Sequence, residues 1–412
     1  MHKPSPQTSS LQVSDVSLRD RGRWHSLVAA VACGWMLVTA GLIIAARAGA
    51  AVVWWDIIHS LTLGAVTTAI FAYSTHFTEA LTRTKAAPYR WVATRIALVH
   101  GGLVLLLADR AGFDWGALAD AGAVLVIVAA LWQAVVVGRA LRGSLSGSFA
   151  VTVPFYIAAV CFLIAAIVLA IVAGHGVGEY SALIAAHSRA TVWGFAWLTV
   201  VGTVVTLLPT LSGTAISPVA RARCSRALMV HCLGLAIAIA ALVTESAALA
   251  GLGLAFVGLA AVLVAQPVIA GVFTPGARRS TAAVSVVAGL VWLIALCWGD
   301  AAMLAAGVFP RRVTLEFAPA LLGGGLAQLI TGVLLHLLPT LRGGGPEKVW
   351  AGRQTADCGG PARLLLINAG ALLTLLPTEQ LGVGFILIVM GLFGHVVALA
   401  AAVYKQKRLD TP

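Results

Sequence analysis

The sequence predicts an all-α polytopic membrane protein with about twelve transmembrane helices in three four-helix repeats around a pseudo-threefold axis. Of its 412 residues, 60% are hydrophobic and only 10% are charged, which is too little charge for the surface of a soluble domain. Apolar runs of about 20 residues recur along the chain, long enough to cross a hydrocarbon core of roughly 30 Å. Polar residues also recur at a fixed period, which indicates internal repeats.

The apolar runs predict the membrane helices in order. A chain in lipid must satisfy its backbone hydrogen bonds within each run, so each run is expected to be a helix. The predicted spans are residues 25–48, 55–81, 91–109, 115–138, 149–173, 185–211, 225–245, 249–273, 281–306, 315–341, 362–378 and 380–404. Residues 1–23 are predicted to be a disordered cytoplasmic tail, 24–404 the membrane domain and 405–412 a second cytoplasmic tail. The Gly-rich stretch 342–361 is predicted to be a loop.

The spacing of three glycines indicates the repeat. Gly64, Gly194 and Gly324 lie 130 residues apart, and each lies in the second helix of a predicted four-helix group. Twelve residues beyond them stand His76, Thr206 and His336. The next helix of each group opens with an arginine followed five residues later by a polar partner: Arg95 with His100, Arg226 with His231, and Arg363 with Asn368. The predicted repeats are about 24–142, 148–275 and 280–404. They keep the same orientation because four is an even number of spans.

The net charge of +12 is interpreted as a topology signal. Lysines and arginines concentrate in alternate connections, as the positive-inside rule requires. This bias predicts a multi-pass protein of the cell membrane with both termini in the cytoplasm. The basic face is expected to contact lipid headgroups of the bilayer, and no nucleic-acid partner is expected.

Histidine is the residue type most able to carry chemistry here. Ten are present, and six lie in the repeat positions, inside predicted spans or near their ends: His59, His76, His100, His187, His231 and His336. A seventh, His395, lies in the last predicted helix. Imidazole is a common ligand of haem iron and copper, and ionisable groups within a bilayer usually mark function. The alternative for each histidine is a neutral ring bonded to a backbone carbonyl. The acidic residues Asp120 and Asp300 lie within apolar stretches of the sequence and are further candidate functional residues.

Depth in the membrane divides these histidines into two zones. His59 and His187 open the second and sixth helices and are predicted to lie toward the outer face. The other four belong to the inner half. His59 and His76 are 17 residues apart, roughly 25 Å along a helix, so they cannot bind one metal.

Several motifs resemble known families of metal-binding membrane proteins. Twelve helices in three four-helix units resemble the plan of subunit I of haem-copper oxidases, and the same plan is expected for NnrS-type proteins. The segment Gly202-Thr-Val-Val-Thr-Leu-Leu-Pro-Thr-Leu-Ser-Gly213 is similar to one of NnrS proteins. A closer likeness is to actinobacterial membrane domains associated with multicopper oxidases. It rests on His59-x4-Gly-Ala-x-Thr-x-Ala-Ile, Ser74-Thr-His76-Phe, Gln328-x3-Gly-x3-His-Leu-Leu-Pro and Gly343-Gly-Gly-Pro346.

The resemblance implies ligands at three positions. His59 matches the helix-two histidine that binds low-spin haem, and His187 resembles the helix-six copper ligand. His231 resembles one member of the helix-seven histidine pair, although Cys232 takes the place of the second. The tenth helix lacks the His-x-His that holds both oxidase haems. The resemblance therefore implies a metal site at His59, His187 and His231, but no terminal oxidase.

Three functions follow from this reading of the sequence. The first is a haem- or copper-binding protein that transfers electrons or handles nitric oxide or a similar small ligand, a component of a membrane oxidoreductase. A separate multicopper oxidase or redox protein is its expected partner. The second is a copper transport or homeostasis protein, although six cysteines and five methionines provide few soft ligands for a Cu(I) path. The third is a metal-free assembly subunit whose histidines are only hydrogen-bonded.

Overall fold

The computed structural model describes residues 18–110, 115–144, 149–376 and 381–409, and this part of the chain is helical with no β-strand. The helices are α1 (Leu18–Arg47), α2 (Trp54–Thr82), α3 (Tyr89–Arg110), α4 (Ala117–Arg142), α5 (Ala150–Gly174), α6 (Tyr180–Ser212), α7 (Pro218–Val243), α8 (Ala247–Val272), α9 (Thr281–Ala305), α10 (Pro310–Arg342), α11 (Pro346–Asp357), α12 (Gly360–Leu373) and α13 (Leu381–Arg408).

Within the described ranges, eleven of these helices are long and apolar enough to cross a membrane. The other two are α11 and α12. The apolar helix α12 has 14 residues, or about 21 Å, which is shorter than the roughly 30 Å of a hydrocarbon core. The structure thus confirms a polytopic helical protein, and the predicted count of twelve spans stays a prediction.

The N-terminal boundary of the membrane domain differs from the sequence prediction. Helix α1 begins at Leu18, so residues 18–23 are helical rather than part of a tail. The reason is packing at the end of α10, where Arg342 donates to Ser26 at 2.6 Å and its backbone lies close to Gly22. The rest of the predicted N-terminal tail, residues 1–17, lies outside the described residues, as do residues 410–412.

The predicted loop 342–361 contains the helix α11. Gly343, Gly344 and Gly345 all have positive φ, a backbone region that favours glycine, and they end α10. Pro346 then stands in the first turn of α11, where its missing N–H costs nothing. Gln406 of α13 donates to the backbone oxygen of Pro339, next to Gly352 of α11, so α11 is held against its neighbours.

Helices α2, α6 and α10 form the centre of the bundle. In their most apolar windows, 78%, 72% and 89% of residues are buried, against 33–50% in the other candidate spans. Each of the three contacts the other two, and the rings of Phe71 and Phe195 meet edge-to-face between α2 and α6. The surrounding helices expose apolar side chains such as Leu233, Leu365 and Ile386, which is the surface that lipid covers.

The three central helices also share a backbone irregularity. Each contains a π-helical segment, at Ser60–Val66, Ala190–Ala196 and Ala320–Ala327, and the starting residues are 130 positions apart. A π-helical segment has i→i+5 hydrogen bonds and therefore contains about one more residue per turn than an α-helix. Such segments often occur at functional sites.

Candidate functional site

The structure brings together two of the predicted ligands, His59 and His187. His59 is the last residue before the π-helical segment of α2, and His187 lies three residues before that of α6. Their ring centroids are 6.3 Å apart and their ring planes differ by 24°. Both side chains are partly exposed, at the end of the bundle where α2 and α6 begin.

The same kind of hydrogen bond orients both imidazoles. His59 Nδ1 lies 2.9 Å from the carbonyl oxygen of Trp55, and His187 Nδ1 lies 2.8 Å from that of Ala166 on α5. A carbonyl only accepts, so each Nδ1 carries the proton, and Nε2 carries the lone pair that binds metals. The indole of Trp55 also stacks on His59, with centroids 3.8 Å apart, and restricts rotation of its ring.

The distance between the two rings can be compared with metal geometry. For metal–nitrogen bonds of about 2.0–2.1 Å, with ring nitrogens about 1.1 Å from the ring centre, two imidazoles on opposite sides of one ion have centroids about 6.3 Å apart. The 6.3 Å between the centroids of His59 and His187 leaves room for one ion between the rings. A void of about 20 Å³, lined mainly by apolar side chains such as Leu63 and Phe195, begins one turn further along both helices.

A buried ion pair anchors α6 beside this site. Arg189 and Asp300 of α9 are almost fully buried, and Nη2 of the arginine donates to the carboxylate at 2.7 Å. Trp193 Nε1 donates to the same carboxylate at 2.9 Å, and Arg189 also donates to Thr314 of α10 at 2.6 Å. The pair ties α6, α9 and α10 together two residues from His187.

Two further predicted histidines, His100 and His231, do not approach the pair but contact the π-helical segments. His100 Nε2 lies 2.8 Å from the hydroxyl of Thr68, which itself donates to the backbone of Gly64. His231 Nε2 donates to the carbonyl of Trp193 at 2.9 Å. Both rings therefore connect their own helices to a central helix.

His336 and His76 lie at the opposite end of the bundle from His59. His336 Nε2 lies 2.9 Å from Nη2 of Arg353, a residue of α11 whose pKa is lowered by burial and by the nearby Arg278. His76 contacts His25 of α1, with ring centroids 5.1 Å apart. Sequence reasoning did not single out His25, because it stands near the start of the first apolar run and has no counterpart in the other repeats.

The structure does not bring His231 to His59 and His187. Within the described part of the chain, no group of three or more His, Cys, Asp or Glu side chains lies close enough to hold one metal ion. Asp120, the other acidic residue within apolar text, pairs with His175 at 3.0 Å on the surface. The described residues thus offer histidine pairs rather than a three-ligand centre.

The fold and composition place the chain among polytopic α-helical membrane proteins. No protein-family model matches the chain, and no curated protein matches it. The likeness to NnrS-type proteins and to haem-copper oxidase subunit I therefore remains a prediction from the residues quoted above.

Proposed function

We propose that this chain is a metal-binding membrane protein of NnrS or oxidase-like type, in which His59 and His187 hold one copper ion or one haem iron. Its function is to transfer electrons or to handle nitric oxide or a similar small ligand, without acting as a terminal oxidase. The observation that carries the proposal is the pair itself. Two imidazoles from different helices have centroids 6.3 Å apart, and both donate through Nδ1 to a carbonyl.

Copper is the form that we propose, because two imidazoles alone are a suitable ligand set for a copper ion. When bound, such an ion supplies one-electron exchange. The chain provides the two nitrogen donors, and Trp55 together with the carbonyl of Ala166 fixes the ring orientations.

The three-repeat architecture is part of the proposal, and the repeat glycines support it. A Cβ atom on Gly64 would lie 2.5 Å from the ring of Trp35 on α1, and one on Gly194 would lie 2.5 Å from Phe162 on α5. Gly324 likewise packs near Trp292 of α9, which stands 130 residues after Phe162. In each group, an aromatic side chain of the first helix lies against the glycine of the second.

The pair and the repeat are connected by position. Residues 59, 189 and 319 each directly precede a π-helical segment, and they are His59, Arg189 and Pro319. The proposed ligand His59, the buried cation Arg189 and Pro319 thus occupy equivalent positions in the three repeats. We infer that one of three related positions acquired a metal ligand, and that a neighbouring repeat supplied the second ligand from His187.

The test is metal analysis with an optical spectrum on the full-length protein in detergent, prepared from cells supplied with copper and haem. We expect His59→Ala and His187→Ala each to lower the copper content by one equivalent. His100→Ala is the matched control and should keep it, because that ring is bonded to Thr68. A Soret band that disappears in His59→Ala would instead identify haem as the cofactor. Unchanged metal content and spectrum in both variants would refute the site.

Copper transport is a second candidate, and one observation favours it. His175 and Asp120 form a pair exposed to solvent at the same end of the bundle as His59, and such a pair could gather cations before they reach His59 and His187. Uptake of copper into vesicles that contain the protein would distinguish transport from static binding, because a resident cofactor produces no accumulation.

A further inference from the structure

His25 is a buried polar group outside the site described above. Its side chain is 1% exposed, and neither ring nitrogen has a hydrogen-bond partner among the residues that the structure describes. Leaving a buried polar atom unpaired costs about 1–3 kcal/mol, and such atoms in a folded protein call for an explanation, an ion among them. Both ring nitrogens of His25 therefore lie in the protein interior without a hydrogen bond to the described residues.

A second imidazole lies beside it. The ring of His76, near the end of α2, has its centroid 5.1 Å from that of His25, and the two planes differ by 75°. The ring of Tyr73 stacks on His25 with centroids 5.7 Å apart, and its hydroxyl is buried without a partner among the described residues. Helices α1 and α2 thus place His25, His76 and Tyr73 together at the end of α2 opposite His59.

The ring separation leaves room for an ion. With metal–nitrogen bonds of about 2.0–2.1 Å and ring nitrogens about 1.1 Å from the ring centre, two imidazoles that bind one ion have centroids about 5.1 Å apart at a tetrahedral angle and about 6.3 Å apart on opposite sides of the ion. The 5.1 Å between the centroids of His25 and His76 lies within this range.

The charge of the surroundings limits the choice of ion. Arg21 lies close enough to act electrostatically on both rings, and its Nε is buried without a hydrogen-bond partner in the described part of the chain. A divalent ion would add two positive charges beside this guanidinium in a desolvated place, where repulsion is strong. A monovalent ion adds only one, and copper is an ion that imidazole binds well.

We propose that His25 and His76 form a second metal site, separate from that of His59 and His187, and that its ligand is Cu(I). The site lies at the end of the bundle that the charge bias predicts to be cytoplasmic. It is formed by α1 and α2 alone, so it does not depend on the pairing of α2 with α6 that creates the first site.

The experiment uses the full-length His59→Ala/His187→Ala variant, so that a failure of the first site cannot mask the second. Cu(I) is titrated into the detergent-solubilised protein in competition with a chromogenic chelator. We expect one equivalent to bind. Adding His25→Ala should abolish this binding, whereas adding His100→Ala should leave it intact.

A further variant guards against loss by unfolding. His76→Cys replaces one ligand by a thiol that also binds Cu(I), and it should retain the equivalent. Size-exclusion chromatography checks that each variant is folded. The proposal is overturned if the parent of this series binds no Cu(I), if His25→Ala binds as much as its parent while folded, or if the site takes Zn²⁺ in preference to Cu(I).

Discussion

Replacing Asp300 by asparagine should destabilise the protein more than any exposed charge substitution. The carboxylate is 4% exposed and accepts from Arg189 Nη2 at 2.7 Å, from Arg189 Nε at 3.2 Å and from Trp193 Nε1 at 2.9 Å. Asp300→Asn keeps the shape but leaves the arginine charge buried without its counter-ion. Removing one partner of a buried pair costs about 3–5 kcal/mol, and we expect a loss of that size in the free energy of unfolding.

The assay is unfolding of the detergent-solubilised protein by SDS, followed by tryptophan fluorescence. The matched control is Arg312→Gln, which removes an ion pair with Glu316 that is exposed to solvent. Exposed pairs contribute little, so this variant should unfold like the parent.

A double variant separates charge from packing. Arg189→Met/Asp300→Leu removes both charges and retains most of the buried volume, and replacement of a buried ion pair by apolar residues is often neutral. We expect this variant to be more stable than Asp300→Asn. The reasoning is refuted if Asp300→Asn unfolds within about 1 kcal/mol of the parent, or if the double variant is the less stable of the two.

Two further predictions follow from packing and topology. Gly64→Ala should lower the free energy of unfolding by about 1–3 kcal/mol through overpacking, because its Cβ would meet the Trp35 ring at 2.5 Å. Adding Trp35→Ala to the same chain should restore part of this stability. Gly138→Ala is the control and should not destabilise the protein, because the space around Gly138 is open. Equal unfolding of Gly64→Ala and Gly138→Ala would contradict the contact. Cys358, which is exposed after α11, should react with a membrane-impermeant maleimide only in inverted vesicles. A cysteine introduced by Val177→Cys at this exposed position should react with the same maleimide only in intact cells. The reverse pattern would show that the predicted orientation is wrong.

Much of the fold was predictable because the bilayer imposes a strong constraint. A run of about 20 apolar residues has few alternatives to a helix in lipid, so the spans are readable from composition. The glycine period of 130 residues also corresponds to a structural feature, because Gly64, Gly194 and Gly324 each lie within a π-helical segment. The segments themselves are set by packing between helices, which the period does not reveal.

The site was predictable only in part. His59 and His187 were paired from their depth in the membrane, and the structure brings them together. An arginine near the end of an apolar run usually reaches solvent, but Arg189 is buried beside Asp300, 111 residues away. The contact of His25 with His76 likewise depends on how α1 packs against α2, which the apolar pattern does not reveal.

The two proposed sites bear on the choice between electron transfer and copper transport. They lie at opposite ends of α2, with 17 residues or roughly 25 Å between His59 and His76. Between them α2 is buried, and the hydroxyls of Thr67, Thr68 and Thr75 donate to carbonyls of α2 itself. Hydroxyls engaged in this way are poor copper ligands, and no group of three or more metal-binding side chains lies between the two histidine pairs among the described residues. Movement of one copper ion between the two proposed sites would therefore require ligands other than those that the described part of α2 provides.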